Sequence, residues 1–76
     1  MKIGDKVRWT STNTEITGEI IAVLPAGKRP RDVGYPKAGG DGMPRDKESY
    51  VVRGAKDYAP TRKAIYWPLN SLLVPA

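Results

Sequence analysis

Cysteine, histidine and phenylalanine are all missing from this chain. Without cysteine there is no disulfide and no zinc–thiolate site to reinforce the fold. The joint loss of cysteine and histidine removes the Ser-His-Asp triad, the thiol nucleophile, the imidazole acid–base group and the histidine-ligated metal. Long hydrophobic runs are also absent, none approaching the roughly 20 residues that span a bilayer. Asp5 interrupts the N-terminal stretch before the apolar region of a signal peptide could begin. No segment keeps the apolar spacing of a long helix, and there is neither a phosphate-binding G-x-x-x-x-G-K-[ST] loop nor an internal repeat. These absences predict a soluble, cytoplasmic, non-enzymatic chain with no cofactor, no metal and no membrane partner.

What is present is short and basic. Seventy-six residues make a single small domain, and a chain of this size buries only about 60% of its unfolded surface. Close packing or self-association must supply the rest, so a homo-oligomer is expected. Thirteen Lys and Arg against eight Asp and Glu give a net charge of +5 and a pI near 9.8, which favours nucleic acid or a phosphorylated small molecule as partner.

Strand signals dominate. In Lys6-Val7-Arg8-Trp9-Thr10 the apolar Val7 and Trp9 share one face. The polar stretch Ser11 to Thr14 then reads as a hairpin loop, though without the Asn-Gly pair that fixes a two-residue turn. Ile16 to Leu24 is rich in Ile and Val but alternates poorly and is broken by Gly18, as in a strongly bent strand that serves both sheets of a small barrel. Ser49 to Arg53 and Lys63 to Trp67 read as the third and fourth strands. Pro68 to Ser71 suits one tight helical turn before a last short strand, Leu72 to Val74.

Between the second and third strands the composition changes. Residues 25–47 hold four of the seven prolines and five of the eight glycines, with six Lys or Arg against three Asp. A connection this long is uncommon in a compact domain unless it is functional or disordered. Lys28-Arg29-Pro30-Arg31 concentrates three cations, and the proline is expected to hold them extended along a row of phosphates. Tyr35 and Tyr58 offer flat faces for base stacking. Trp9 and Trp67 are expected to fill the core, which leaves Tyr50 and Tyr66, of opposite parity, as surface aromatics. Asp46 and Glu48 sit two apart, but an ion pair with Arg45 or Lys47 accounts for them, and the spacing of Asp41, Asp46 and Glu48 is not that of a calcium loop.

Five short strands, a bent second strand and a turn before the last strand resemble an SH3-like barrel. The closing Tyr66-Trp67-Pro68-Leu69-Asn70-Ser71-Leu72-Leu73-Val74 is similar to the strand, Pro-x-Asn turn and strand that end many SH3-type domains. Gly4-Asp5-Lys6-Val7 with Gly18-Glu19-Ile20-Ile21 likewise resembles the opening of KOW-type barrels. A wider resemblance, through Gly4 to Thr10, Val23 to Gly27, Glu48 to Val52 and Tyr66-Trp67-Pro68, is to small proteins of phages and other mobile elements. It implies Arg45, Glu48, Ser49, Tyr50 and Trp67 as positions a ligand would use. The chain also resembles the plasmid-borne type II dihydrofolate reductases through Gly4 to Arg8 and Ile65-Tyr66. That family's pore motif is Val-Gln-Ile-Tyr, whereas this chain reads Lys63-Ala64-Ile65-Tyr66, and alanine supplies no amide hydrogen bond. The resemblance therefore implies the fold without the reaction.

The expectation is an all-β, SH3-like five-stranded barrel with a long basic loop between strands two and three. Its function is read as binding an anionic ligand, nucleic acid first, through Lys28, Arg29, Arg31, Tyr35, Arg45, Glu48, Tyr50 and Tyr66. The alternative is an oligomeric nucleotide-binding or host-interfering accessory protein.

Overall fold

The computed structural model describes residues 1–38 and 43–76; residues 39–42, part of the expected loop and including Asp41, lie outside the described residues. Five antiparallel strands form one sheet in the order β4-β3-β2-β1-β5. They are β1 (Lys6–Ser11), β2 (Thr14–Leu24), β3 (Ser49–Lys56), β4 (Ala64–Tyr66) and β5 (Val74–Pro75). Two 3-10 turns, Pro30–Val33 and Asn70–Leu72, complete the described elements. No helix among the described residues is long and apolar enough to cross a membrane. The sheet is not closed: β4 and β5 are its two edges and do not pair with each other.

β1 and β2 form a hairpin in which Ser11 pairs with Thr14. The two residues between them, Thr12 and Asn13, both have positive φ, 50° and 62°, the pattern of a type I′ turn whose twist matches that of the strands. Asparagine tolerates this region, but a β-branched threonine does not, so Thr12 carries local strain.

The poor alternation of β2 has a structural cause. Its register against β3 shifts between Ile20 and Ala22, leaving Ile21 as the extra residue of a bulge. Before the bulge, Ile16 and Ile20 point into an inner cluster with Val7, Trp9, Val52 and Leu73. Beyond it the parity inverts: Ala22 and Leu24 join a second cluster with Val51, Ala38 and Trp67, while Val23 packs against the first. β3 contributes to both, Val52 inward and Val51 outward, each fully buried. Burial of such side chains is worth about 1.5–3 kcal/mol apiece.

Trp9 lies in the inner cluster as expected, whereas Trp67 is half-buried against the outer one. The parity argument for Tyr50 and Tyr66 needs correction accordingly. Tyr66 does oppose Trp67, but it turns inward, its ring meeting Trp9 edge-on at 5.5 Å between centroids and 74° between planes. Tyr50 also packs, half-buried, against the inner cluster. Both faces of the sheet carry apolar groups, so facing away from a tryptophan does not mean facing water.

Gly18 and Gly54 pair across β2 and β3. A Cβ at Gly18 would lie 2.5 Å from the Arg53 carbonyl oxygen and 2.7 Å from the Gly54 Cα. At Gly54 a Cβ would lie 2.5 Å from the Thr17 carbonyl oxygen. Both clashes are with backbone, which cannot rotate aside.

Gly18→Ala and Gly54→Ala are therefore each expected to cost about 3 kcal/mol in urea denaturation; a change within about 0.5 kcal/mol would contradict the close approach. Relief of strain is expected at the hairpin, where the double change Thr12→Asn, Asn13→Gly should raise stability by about 1 kcal/mol, read as a higher midpoint at unchanged m-value.

Candidate functional site

Several residues singled out in the sequence come together where β3 begins and β4 ends. The Arg45 guanidinium donates to the Pro68 carbonyl at 2.7 Å and the Trp67 carbonyl at 2.9 Å, and it lies over the Trp67 ring at 3.8 Å from the centroid. The Arg45 carbonyl accepts the Gly27 N–H at 2.8 Å, so this one residue ties the start of the β2–β3 connection to the segment that follows β4. The Trp67 Nε1–H donates to Oγ of the fully buried Ser49 at 2.9 Å. Tyr50 donates its hydroxyl to Glu48 at 3.0 Å, and Asn70 donates its side-chain amide to the Glu48 carbonyl. Burial lowers the Arg45 pKa from its ordinary value, and the Tyr50 pKa is raised, first by its hydrogen bond to Glu48 and then by burial. The cluster thus spends its polar atoms on internal bonds.

Lys28, Arg29, Arg31 and Tyr35 lie around the first 3-10 turn. Pro30 does not hold the cations extended; it occupies the first position of that turn and is buried. Asp32 accepts the Arg29 backbone N–H at 2.8 Å and approaches the Arg29 side chain at 3.8 Å. The turn closes on Gly34 at φ 95°, and the Tyr35 N–H donates to the Pro30 carbonyl at 2.9 Å. Tyr35 then packs half-buried against the outer cluster, beside the buried Ala38. A proline with a fixed φ near −65° suits the first turn of a helix as well as it suits an extended chain, and the burial of its ring selects the former.

Sequence reasoning missed a second concentration of charge, on the outer face of the sheet beyond the area that the 3-10 turn covers. Strand register sets Lys6, Glu19 and Arg53 side by side across β1, β2 and β3. With Lys56, Asp57 and Lys63 they line an open groove of about 580 Å³ that also borders Gly18. Lys6 bonds to Glu19 and lowers the Glu19 pKa, chiefly through that hydrogen bond and then through its charge. Among the described residues, no ion pair involves Arg53, Lys56, Arg62 or Lys63. Lys56 instead sits 5.7 Å from the Tyr58 ring centroid, and a hydrogen-bonding interaction with Tyr58 raises its pKa. Apart from the Arg62-Lys63 pair these cations are separated in the sequence, so register and the β3–β4 connection unite them. The legible trace was the parity of Arg53, opposite to Val52, and the Arg62-Lys63 pair just before β4.

Comparison with known proteins finds no matching family model, no matching curated protein and no matching solved structure.

The Arg45 clamp predicts a large asymmetry between two substitutions. Arg45→Ala removes two charge-assisted hydrogen bonds and a cation–π contact and is expected to cost about 2–3 kcal/mol. Lys cannot reach both carbonyls with a planar fork, so Arg45→Lys should recover less than half of that loss in the same denaturation assay.

Proposed function

We propose that this chain is a non-enzymatic nucleic-acid-binding module. The observation that carries the reading is the grouping of Arg53, Lys56, Arg62 and Lys63, without carboxylate partners among the described residues, on β3 and the β3–β4 connection. A linear polyanion needs cations spread along a surface rather than one enclosed charge, and that is the distribution here. Lys28, Arg29 and Arg31 lie on a separate element and extend the positive field without forming its centre. The net charge of +5 adds long-range attraction in the same sense.

The fold reading that accompanies this is an SH3-like barrel. It is supported by the strand order β4-β3-β2-β1-β5, the bulged second strand and the 3-10 turn between the last two strands. Origin in a mobile element, a cytoplasmic setting and self-association are part of the same reading and rest on the sequence resemblance, the composition and the small size. The resemblance to type II dihydrofolate reductases contributes architecture alone, since Ala64 at the glutamine position has no amide to hold a cofactor. The rival reading is capture of a phosphorylated small molecule by an oligomer.

A salt titration separates the two. Binding of a labelled duplex, followed by anisotropy, should weaken steeply with salt, and Arg53→Ala, Arg62→Ala and Lys63→Ala together should reduce the log–log slope by about 0.9 for each phosphate no longer neutralised. The Lys28, Arg29 and Arg31 triple alanine variant should change the slope less. Shallow salt dependence with tight nucleotide binding would favour the small-molecule reading, and no binding to any nucleic acid at low salt would end the nucleic-acid reading.

A further inference from the structure

Lys56, which lines the groove, also borders a second cavity of different chemistry. About 530 Å³ in volume, it lies between the β1–β2 turn and the β3–β4 connection, and its walls include Trp9, Thr12, Lys56, Tyr58, Tyr66 and Pro68. A smaller hollow of about 260 Å³ adjoins it, sharing Lys56, Tyr58 and Tyr66 and adding Arg62 and Lys63. Tyr58 is 69% exposed, although an aromatic ring gains most by burial. Tyr66 meets Trp9 edge-on and borders both hollows.

We infer that this cavity receives an unpaired base, so that the ligand class is single-stranded nucleic acid rather than duplex. The inference rests on the nucleic-acid reading above and adds the strand state. Five features favour it. Aromatic faces beside cations match a chain whose bases present π-faces and whose backbone presents phosphates, and a paired, stacked base in a duplex presents no free face. Lys56 is common to the groove and both hollows, so one chain can lay its backbone along Arg53, Lys56 and Lys63 while a base turns toward Tyr58. Lys56 also works against a cationic or purely apolar occupant, because its ammonium would repel the first and lose solvation to the second. The wall further carries Ser11, Thr12 and Thr14, hydroxyls able to donate to or accept from any base edge. The cost of holding Thr12 at positive φ falls at this wall, where the turn is kept in place against its own preference.

The test compares a labelled thymidine strand of about 12 nucleotides, a length within the usual single-strand site size, with the duplex of the same sequence at matched salt. The strand should bind at least ten-fold more tightly than the duplex. Tyr58→Ala should weaken strand binding about ten-fold, leave duplex binding within two-fold and leave the salt slope unchanged, while Tyr58→Phe should retain the wild-type preference. Because Tyr58 is exposed, the circular dichroism and melting curve of the alanine variant should match the wild type, and a variant that fails this check is replaced by Tyr58→Leu, which keeps bulk and loses the π-face. Equal affinity for strand and duplex, or an equal weakening of both on Tyr58→Ala, overturns the single-strand inference while leaving nucleic-acid binding intact. Failure of both probes to bind at low salt overturns the two together.

Discussion

The contact between Gly18 and Gly54 is the constraint on which the rest of the molecule depends. Two backbones come so close there that a single methyl on either would strike a carbonyl oxygen. On the inner face, the strands flanking that crossing carry the residues that gather around Trp9. On the outer face the same crossing leaves bare backbone at the edge of the groove. One pair of missing side chains thus serves the core and the surface at once. Its energetic logic is repulsive: nothing is gained by the glycines themselves, but every larger residue is excluded.

Charge divides into two populations that net charge alone does not distinguish. Arg45 is turned inward onto Trp67 and two carbonyls, and Lys6, Arg8 and Arg29 face carboxylates of Glu19, Glu15 and Asp32. These cations hold the fold together, the exposed pairs only weakly because water and salt screen them. Arg53 and Lys63 face solvent along the groove and Arg62 beside the adjoining hollow, and none has such a partner among the described residues. A polyanion would find the second group and not the first.

Much of the fold was legible locally. The alternation of Val7 and Trp9 marks β1, and the β-branched runs mark β2 and β3. Pro68 and Asn70 mark the turn before β5. What the sequence could not disclose was set by non-local geometry. The bulge at Ile21 reverses the parity of β2, so no single alternation describes it. Tyr66 turns inward onto Trp9 because its neighbour Trp67 is taken up by the outer cluster, where Tyr35 and Ala38 pack with Leu24 and Val51. The candidate site suffered most. Consecutive letters drew attention to Lys28-Arg29-Pro30-Arg31, while Lys6, Arg53 and Lys63, far apart in the chain, became neighbours only through strand register. Arg45, Glu48 and Ser49, expected from the sequence as positions a ligand would use, fasten segments of the fold to one another.

The two edges of the sheet carry a consequence for how copies of this protein meet. β4 offers only three residues and β5 only two, and Pro75 in β5 has no amide hydrogen to donate. A neighbouring chain would find only a short template on which to continue the ladder, so strand addition is disfavoured at both edges. Copies that associate would instead meet through side-chain surfaces, a route distinct from the edge-to-edge pairing that leads small β proteins into fibrils.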